Sequence, residues 1–93
     1  MGATKKHQYS EKELKKALLA RAFAHPARIR IYEILKSHEI YPNKELHKEL
    51  KLNQSTIHDH LMKLKEAGVV TIEYFESIYS VQLHPNYKEV IEI

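Results

Sequence analysis

Apolar residues recur along this chain with two different periods, and the change of period divides it. From Leu14 to Leu64 they return every three to four residues, as on one face of a helix. After Gly68 they return every second residue, as in a strand. Ser10-Glu11-Lys12-Glu13 has the form of a capping box, so a helix is predicted to start after Ser10. Leu14, Ala17 and Leu18 form its stripe, with Leu19 and Phe23 beside it. His25-Pro26 breaks that helix, because proline excludes helical geometry from the residue before it and suits the first position of the next helix. The next helix is predicted over 27–38, with Ala27, Ile31, Ile34 and Leu35 inward. Glu39-Ile40-Tyr41 is short and β-prone. Pro42-Asn43 reads as a turn, with Asn43 capping a third helix over 44–50. Only Lys51-Leu52-Asn53 separates it from a fourth helix over 54–67, which Asn53 caps and which buries Ile57, Leu61 and Leu64. Gly68 stands where helices stop. Val70, Ile72 and Tyr74 then alternate with Thr71 and Glu73, and 78–83 is a second β-rich run, so 69–83 reads as a hairpin. Tyr87, Val90 and Ile91 make an apolar stripe on a short helix over 86–93.

The predicted fold is mainly α with a small β-hairpin. Two short helices joined by three residues form a helix-turn-helix at 44–67, the hairpin at 69–83 is its wing, and 86–93 is a terminal helix. Residues 10–93 read as a single domain and 1–9 as a flexible basic arm. At 93 residues the chain is near the low end for a self-sufficient core, so a second subunit over its apolar stripes would add stability. The major groove of DNA admits one α-helix, and the first helix of such a pair holds the second in it. Charge favours a polyanion at one end. Residues 1–30 carry eight Lys or Arg against two Glu, net +6, whereas 69–93 carry one Lys against four Glu, net −3.

Three segments carry a resemblance to a known family: Ala24-His25-Pro26-Ala27-Arg28-Ile29-Arg30-Ile31, Leu52-Asn53-Gln54-Ser55-Thr56-Ile57-His58-Asp59-His60-Leu61 and Leu64-Lys65-Glu66-Ala67-Gly68-Val69-Val70. At these separations residues 17–83 resemble the ArsR-type winged-helix repressors. The resemblance implies a homodimer assembled through the first and last helices, with the recognition helices in successive major grooves of an inverted-repeat operator. Leu14 and Leu18 at one end, and Tyr87, Val90 and Ile91 at the other, are the candidate interface.

Helix geometry supplies candidate DNA contacts. The first turn of the fourth helix, Gln54-Ser55-Thr56, offers backbone N–H groups and hydroxyls to phosphate. Gln54 and His58 are placed to read base edges, and Asp59 can accept from a cytosine amino group. Lys44, Lys48, Lys51 and Lys63 are candidate phosphate partners. His60 matches the family's recognition-helix histidine, read as structural or phosphate-contacting.

The chain departs from the family at three points. Residues 69–83 hold no Lys, Arg or Gly but do hold Glu73 and Glu76, so no DNA contact is assigned to the wing. His47 stands where the family usually has Ala, and Lys51 where it often has a turn glycine, at a cost of about 1 kcal/mol. The family's metal sites are not carried over: there is no cysteine, and the last helix is too short for the His/Asp pattern. His58 and His60 point about 200° apart on a helix and cannot share one ion. No nucleophile–base pair, phosphate-binding glycine loop or H-E-x-x-H motif is present, so neither catalysis nor a cofactor is expected. No run approaches the ~20 apolar residues of a membrane span, and the N-terminus has neither a signal-peptide segment nor the myristoylation pattern, so a cytoplasmic protein without a membrane partner is expected. The sequence names no effector. The leading expectation is a dimeric DNA-binding transcription regulator, repressing by covering promoter DNA. The alternative is a winged-helix module that meets a protein through its acidic wing.

Overall fold

The computed structural model describes residues 8–92. Of the expected basic arm, residues 1–7 lie outside the described residues. Helix α1, Glu11–Ala22, starts as the capping box requires. Ser10 Oγ accepts from the Glu13 N–H at 3.0 Å, and Glu13 Oε1 accepts from the Ser10 N–H at 2.8 Å. His25 then takes an extended backbone, and its Nδ1 accepts from the Ala27 N–H at 3.0 Å, so the residue before the proline is also the cap of α2, Pro26–Lys36. This helix stops two residues before the expected end. Ser37 already leaves helical geometry, and the chain turns into a strand.

That strand, β1 (Tyr41–Pro42), pairs antiparallel with β3 (Ile78–Leu83), which also pairs with β2 (Val70–Phe75). The hairpin is therefore part of a three-stranded sheet of order β1-β3-β2. Pro42 is tolerated because it lies on an edge strand. The pairing also displaces the expected turn: Pro42 is the cap residue of helix α3, Asn43–Leu50, and Asn43 is its first residue, buried at 5% exposure. Asn43 therefore does not cap this helix.

Lys51 ends α3 in the left-handed region at φ 56°, ψ 39°, the conformation for which the family often uses glycine. Asn53 then caps helix α4, Gln54–Glu66, its Oδ1 accepting from the Thr56 N–H at 2.8 Å. Gly68 follows at φ 80°, and a Cβ there would sit 3.4 Å from Val90. Ile31, Leu35, Leu46, Ile57, Leu61, Leu64, Val69, Val70 and Val81 fill one core shared by α2, α3, α4 and the sheet. The end helices contribute little: α1 buries only Ala22, and α5 (Tyr87–Ile91) buries no residue. Leu14, Leu18, Tyr87, Val90 and Ile91 are all left half-buried. No described helix is long and apolar enough to cross a membrane.

Candidate nucleic-acid interface

Helix α4 divides cleanly by face. Ile57, Leu61 and Leu64 are at most 1% exposed, which turns Ser55, Asp59, Met62, Lys63 and Glu66 toward solvent. The three-residue turn before it fixes its angle to α3, and Leu46 and Ile57 lock the two helices together. Lys44, Lys51 and Lys63 are exposed and make no ion pair among the described residues, whereas Lys48 lies 3.7 Å from Glu45. Surface pairs of that kind contribute little, so Lys48 also remains available.

The N-terminal turn of α4 is partly engaged within the protein. Asn53 Oδ1 takes the Thr56 N–H and also accepts from the Ser55 hydroxyl at 2.9 Å. The Gln54 and Ser55 N–H groups, on two exposed residues at the helix start, have no intrahelical carbonyl to bond. Thr56 is half-buried. Gln54 is exposed, but its Oε1 accepts from Asn43 Nδ2 at 3.2 Å.

The two recognition-helix histidines part company. His60 is 9% exposed and faces the protein. Its Nδ1 accepts from Arg28 Nε at 3.2 Å, and its ring lies 4.4 Å from that of His25. Arg28 also donates to the Arg21 carbonyl at 2.8 Å, so it ties α1, α2 and α4 together. Burial, with His25 and Arg28 beside it, holds the His60 imidazole below its ordinary pKa. The structure thus places His60 inside, apart from the outward candidates. His58 is half-buried and turned to the wing, its Nε2 3.0 Å from the Tyr74 hydroxyl. The Tyr79 ring packs edge-on to His58 at 5.9 Å, and burial raises the pKa of its phenol.

Sequence reasoning missed Asn43, Arg28, Tyr74 and Tyr79 as partners of these side chains. Each acts across 11 to 36 residues of sequence. The resemblance drew attention to Arg28, and the pattern marked Asn43 as a helix cap and Tyr74 as a strand residue, but nothing in it pointed to these partners. Among the described residues no three His, Asp or Glu side chains converge on one point. Between α1, the end of α4 and α5 lies a groove of about 530 Å³, bordered by Leu18, Ala67, His84 and Val90.

The family model of bacterial regulatory proteins named for arsR matches residues 25–71. No curated protein sequence matches the chain. Among solved structures, HlyU from Vibrio cholerae N16961 is 26% identical, with 90% of this chain and 91% of that one covered and a TM-score of 0.73. The transcriptional repressor PagR of Bacillus anthracis is also 26% identical, with 87% and 93% covered and a TM-score of 0.67. A further ArsR family transcriptional regulator, 14% identical, superposes at a TM-score of 0.78 over 90% and 86% and shows the fold alone.

Proposed function

Since the chain belongs to the ArsR family of bacterial regulatory proteins, a family of winged-helix DNA-binding transcriptional regulators, we propose that it is a sequence-specific repressor that binds an inverted-repeat operator as a homodimer. One observation carries the reading. Gln54 and Ser55 in the first turn of α4 and the outward face of that helix are exposed, and Lys44 on α3, Lys51 in the turn and Lys63 on α4 are exposed and unpaired within the described residues. The lysines and the Gln54–Ser55 N–H groups take phosphate. The Ser55 hydroxyl and the half-buried Thr56 are second-rank phosphate donors. Gln54 and His58 read bases, and Asp59 discriminates against phosphate or accepts from cytosine. His60 sets the helix rather than touching DNA. The likeness to PagR, a transcriptional repressor, supports repression by promoter occlusion.

The half-buried stripes of Leu14 and Leu18 on α1, and of Tyr87, Val90 and Ile91 on α5, support pairing with a second copy. Two such faces in one subunit, left uncovered beside a groove of about 530 Å³, are what a twofold interface would close. We read residues 10–93 as one domain acting in the cytoplasm.

The test is selection from a random duplex pool, followed by titration of the enriched duplex at several salt concentrations. The expected result is an inverted repeat with half-sites about one helical turn apart. The slope of log affinity against log salt should be about −0.9 per phosphate contact. A pool without enrichment, and a monomer by sedimentation, would overturn both parts of the reading.

A further inference from the structure

The wing of this protein has no basic residue with which to hold phosphate, yet it reaches Gln54 and His58, two of the side chains assigned to base edges. Tyr74 and Tyr79 sit opposite each other on β2 and β3. Tyr74 contacts His58 directly, its hydroxyl 3.0 Å from Nε2. Tyr79 reaches Gln54 through a relay: its backbone N–H donates to Asn43 Oδ1 at 3.4 Å, and Asn43 Nδ2 donates to Gln54 Oε1 at 3.2 Å.

This relay has a fixed direction. A backbone N–H can only donate, so Asn43 must turn its oxygen to Tyr79 and its amino group to Gln54. Gln54 must then offer its oxygen inward, which turns its own amino group outward. The Tyr74–His58 contact has a preferred direction for a related reason. A phenol is the stronger acid of the pair, so its O–H donates to the Nε2 lone pair of a neutral imidazole. The proton of that imidazole is then on Nδ1, the ring nitrogen left free.

We propose that the wing sets the hydrogen-bonding polarity of the recognition helix, so that Gln54 and His58 both meet DNA as donors and select base pairs that present acceptors, guanine N7 and O6 first. The inference rests on the DNA-binding reading above. Gln54 and His58 are four residues apart, about 6 Å along the helix axis, and so address positions about two base-pair steps apart. Guanine offers two acceptors in the major groove, whereas cytosine offers only an amino donor, which two outward donors would repel. Tyr74 and Asn43 are positioning residues here, acting through His58 and Gln54 without touching DNA. A wing with this task needs aromatic rings and a backbone amide rather than lysines.

Two measurements test the inference. In the DNA-free protein, long-range nitrogen–proton NMR of His58 should show the proton on Nδ1 in the parent and a shift toward Nε2–H in Tyr74→Phe. A parent ring protonated on Nε2 overturns the His58 half of the inference whether or not DNA binds. On the duplex selected above, single base-pair substitutions should reveal guanine at two positions of each half-site. Tyr74→Phe should reduce discrimination at one of them by about 5–10-fold, the low end for one base contact. Random-duplex affinity, carried by the lysines, should change less than about 2-fold. Asn43→Asp keeps the acceptor for Tyr79 but withdraws the donor from Gln54, which then turns its amino group inward and its oxygen outward, so the other preference should move from guanine toward a base that presents an amino donor, cytosine first. Tyr74→Phe keeps the test decisive if Asn43→Asp prevents folding. Half-sites without guanine, or discrimination identical in parent and Tyr74→Phe, overturn the inference while DNA binding stands. A pool with no enriched duplex overturns the DNA reading itself, and the His58 spectrum separates the two failures because it reports the Tyr74 contact without DNA.

Discussion

Lys51 is held in the left-handed region at φ 56° to end α3, and it is also an exposed cation beside the N-terminus of α4. Its two roles respond oppositely to one substitution. Lys51→Gly removes the contact between Cβ and the following carbonyl that disfavours this conformation by roughly 1–2 kcal/mol in L-residues. Glycine gives back roughly 0.5–1 kcal/mol through the larger freedom of its unfolded chain. The expected net gain is about 0.5–1 kcal/mol, or a Tm rise of about 2–8 °C for a domain of this size. On the proposed dimeric DNA complex the same change would delete one phosphate contact per subunit, so the salt slope should become shallower by about 1.8. Lys51→Ala separates the two effects, because it loses the charge but retains the strain. Thermal melts followed by far-UV circular dichroism, with salt titrations of DNA affinity, read both. A Lys51→Gly protein less stable than the parent would refute the strain argument, and an unchanged salt slope would remove Lys51 from the interface.

Asn43→Ala leaves the part-buried Tyr79 N–H without its acceptor and should cost about 1 kcal/mol in urea unfolding, more than loss of an exposed helix-start residue. Leu61 is 0% exposed, and Leu61→Ala should cost about 2–5 kcal/mol in the same assay. Leu18→Glu, on the half-buried stripe of α1, should leave the monomer folded but shift sedimentation from dimer to monomer and abolish operator binding at low concentration. His60 gives a pH dependence. Its folded pKa is depressed, chiefly by burial, so the fold favours the neutral ring. That stabilisation is fully present above the unfolded value of about 6.5 and is lost as pH falls through the lower folded value. Urea midpoints should therefore fall from about pH 6.5 downward, with a gentler fall in His60→Gln; parallel curves for the two proteins would sink this account.

Much of the fold was legible because its signals are local. The Ser10–Glu13 box, the His25-Pro26 break, the Asn53 cap and the Gly68 stop each act within a few residues, and each appears where expected. The spacing of Ile57, Leu61 and Leu64 likewise identified the buried face of α4 and hence its outward face. Asn43 was misread because a local rule, asparagine before a helix as its cap, competed with a pairing it could not see. Strand β1 moves the cap position back to Pro42 and buries the asparagine.

The sequence by itself determined where most of the helices begin, which apolar residues of α4 turn inward, and the family to which the chain belongs. These follow from backbone periodicity and short-range hydrogen bonds, which neighbours in sequence decide between themselves. Only the tertiary structure decided that His60 turns inward to Arg28 and that His58 leans on Tyr74. The same holds for the turning of Gln54's oxygen to Asn43. Each of those choices is made by a hydrogen-bond partner on a different element, brought within about 3 Å only when the core closes.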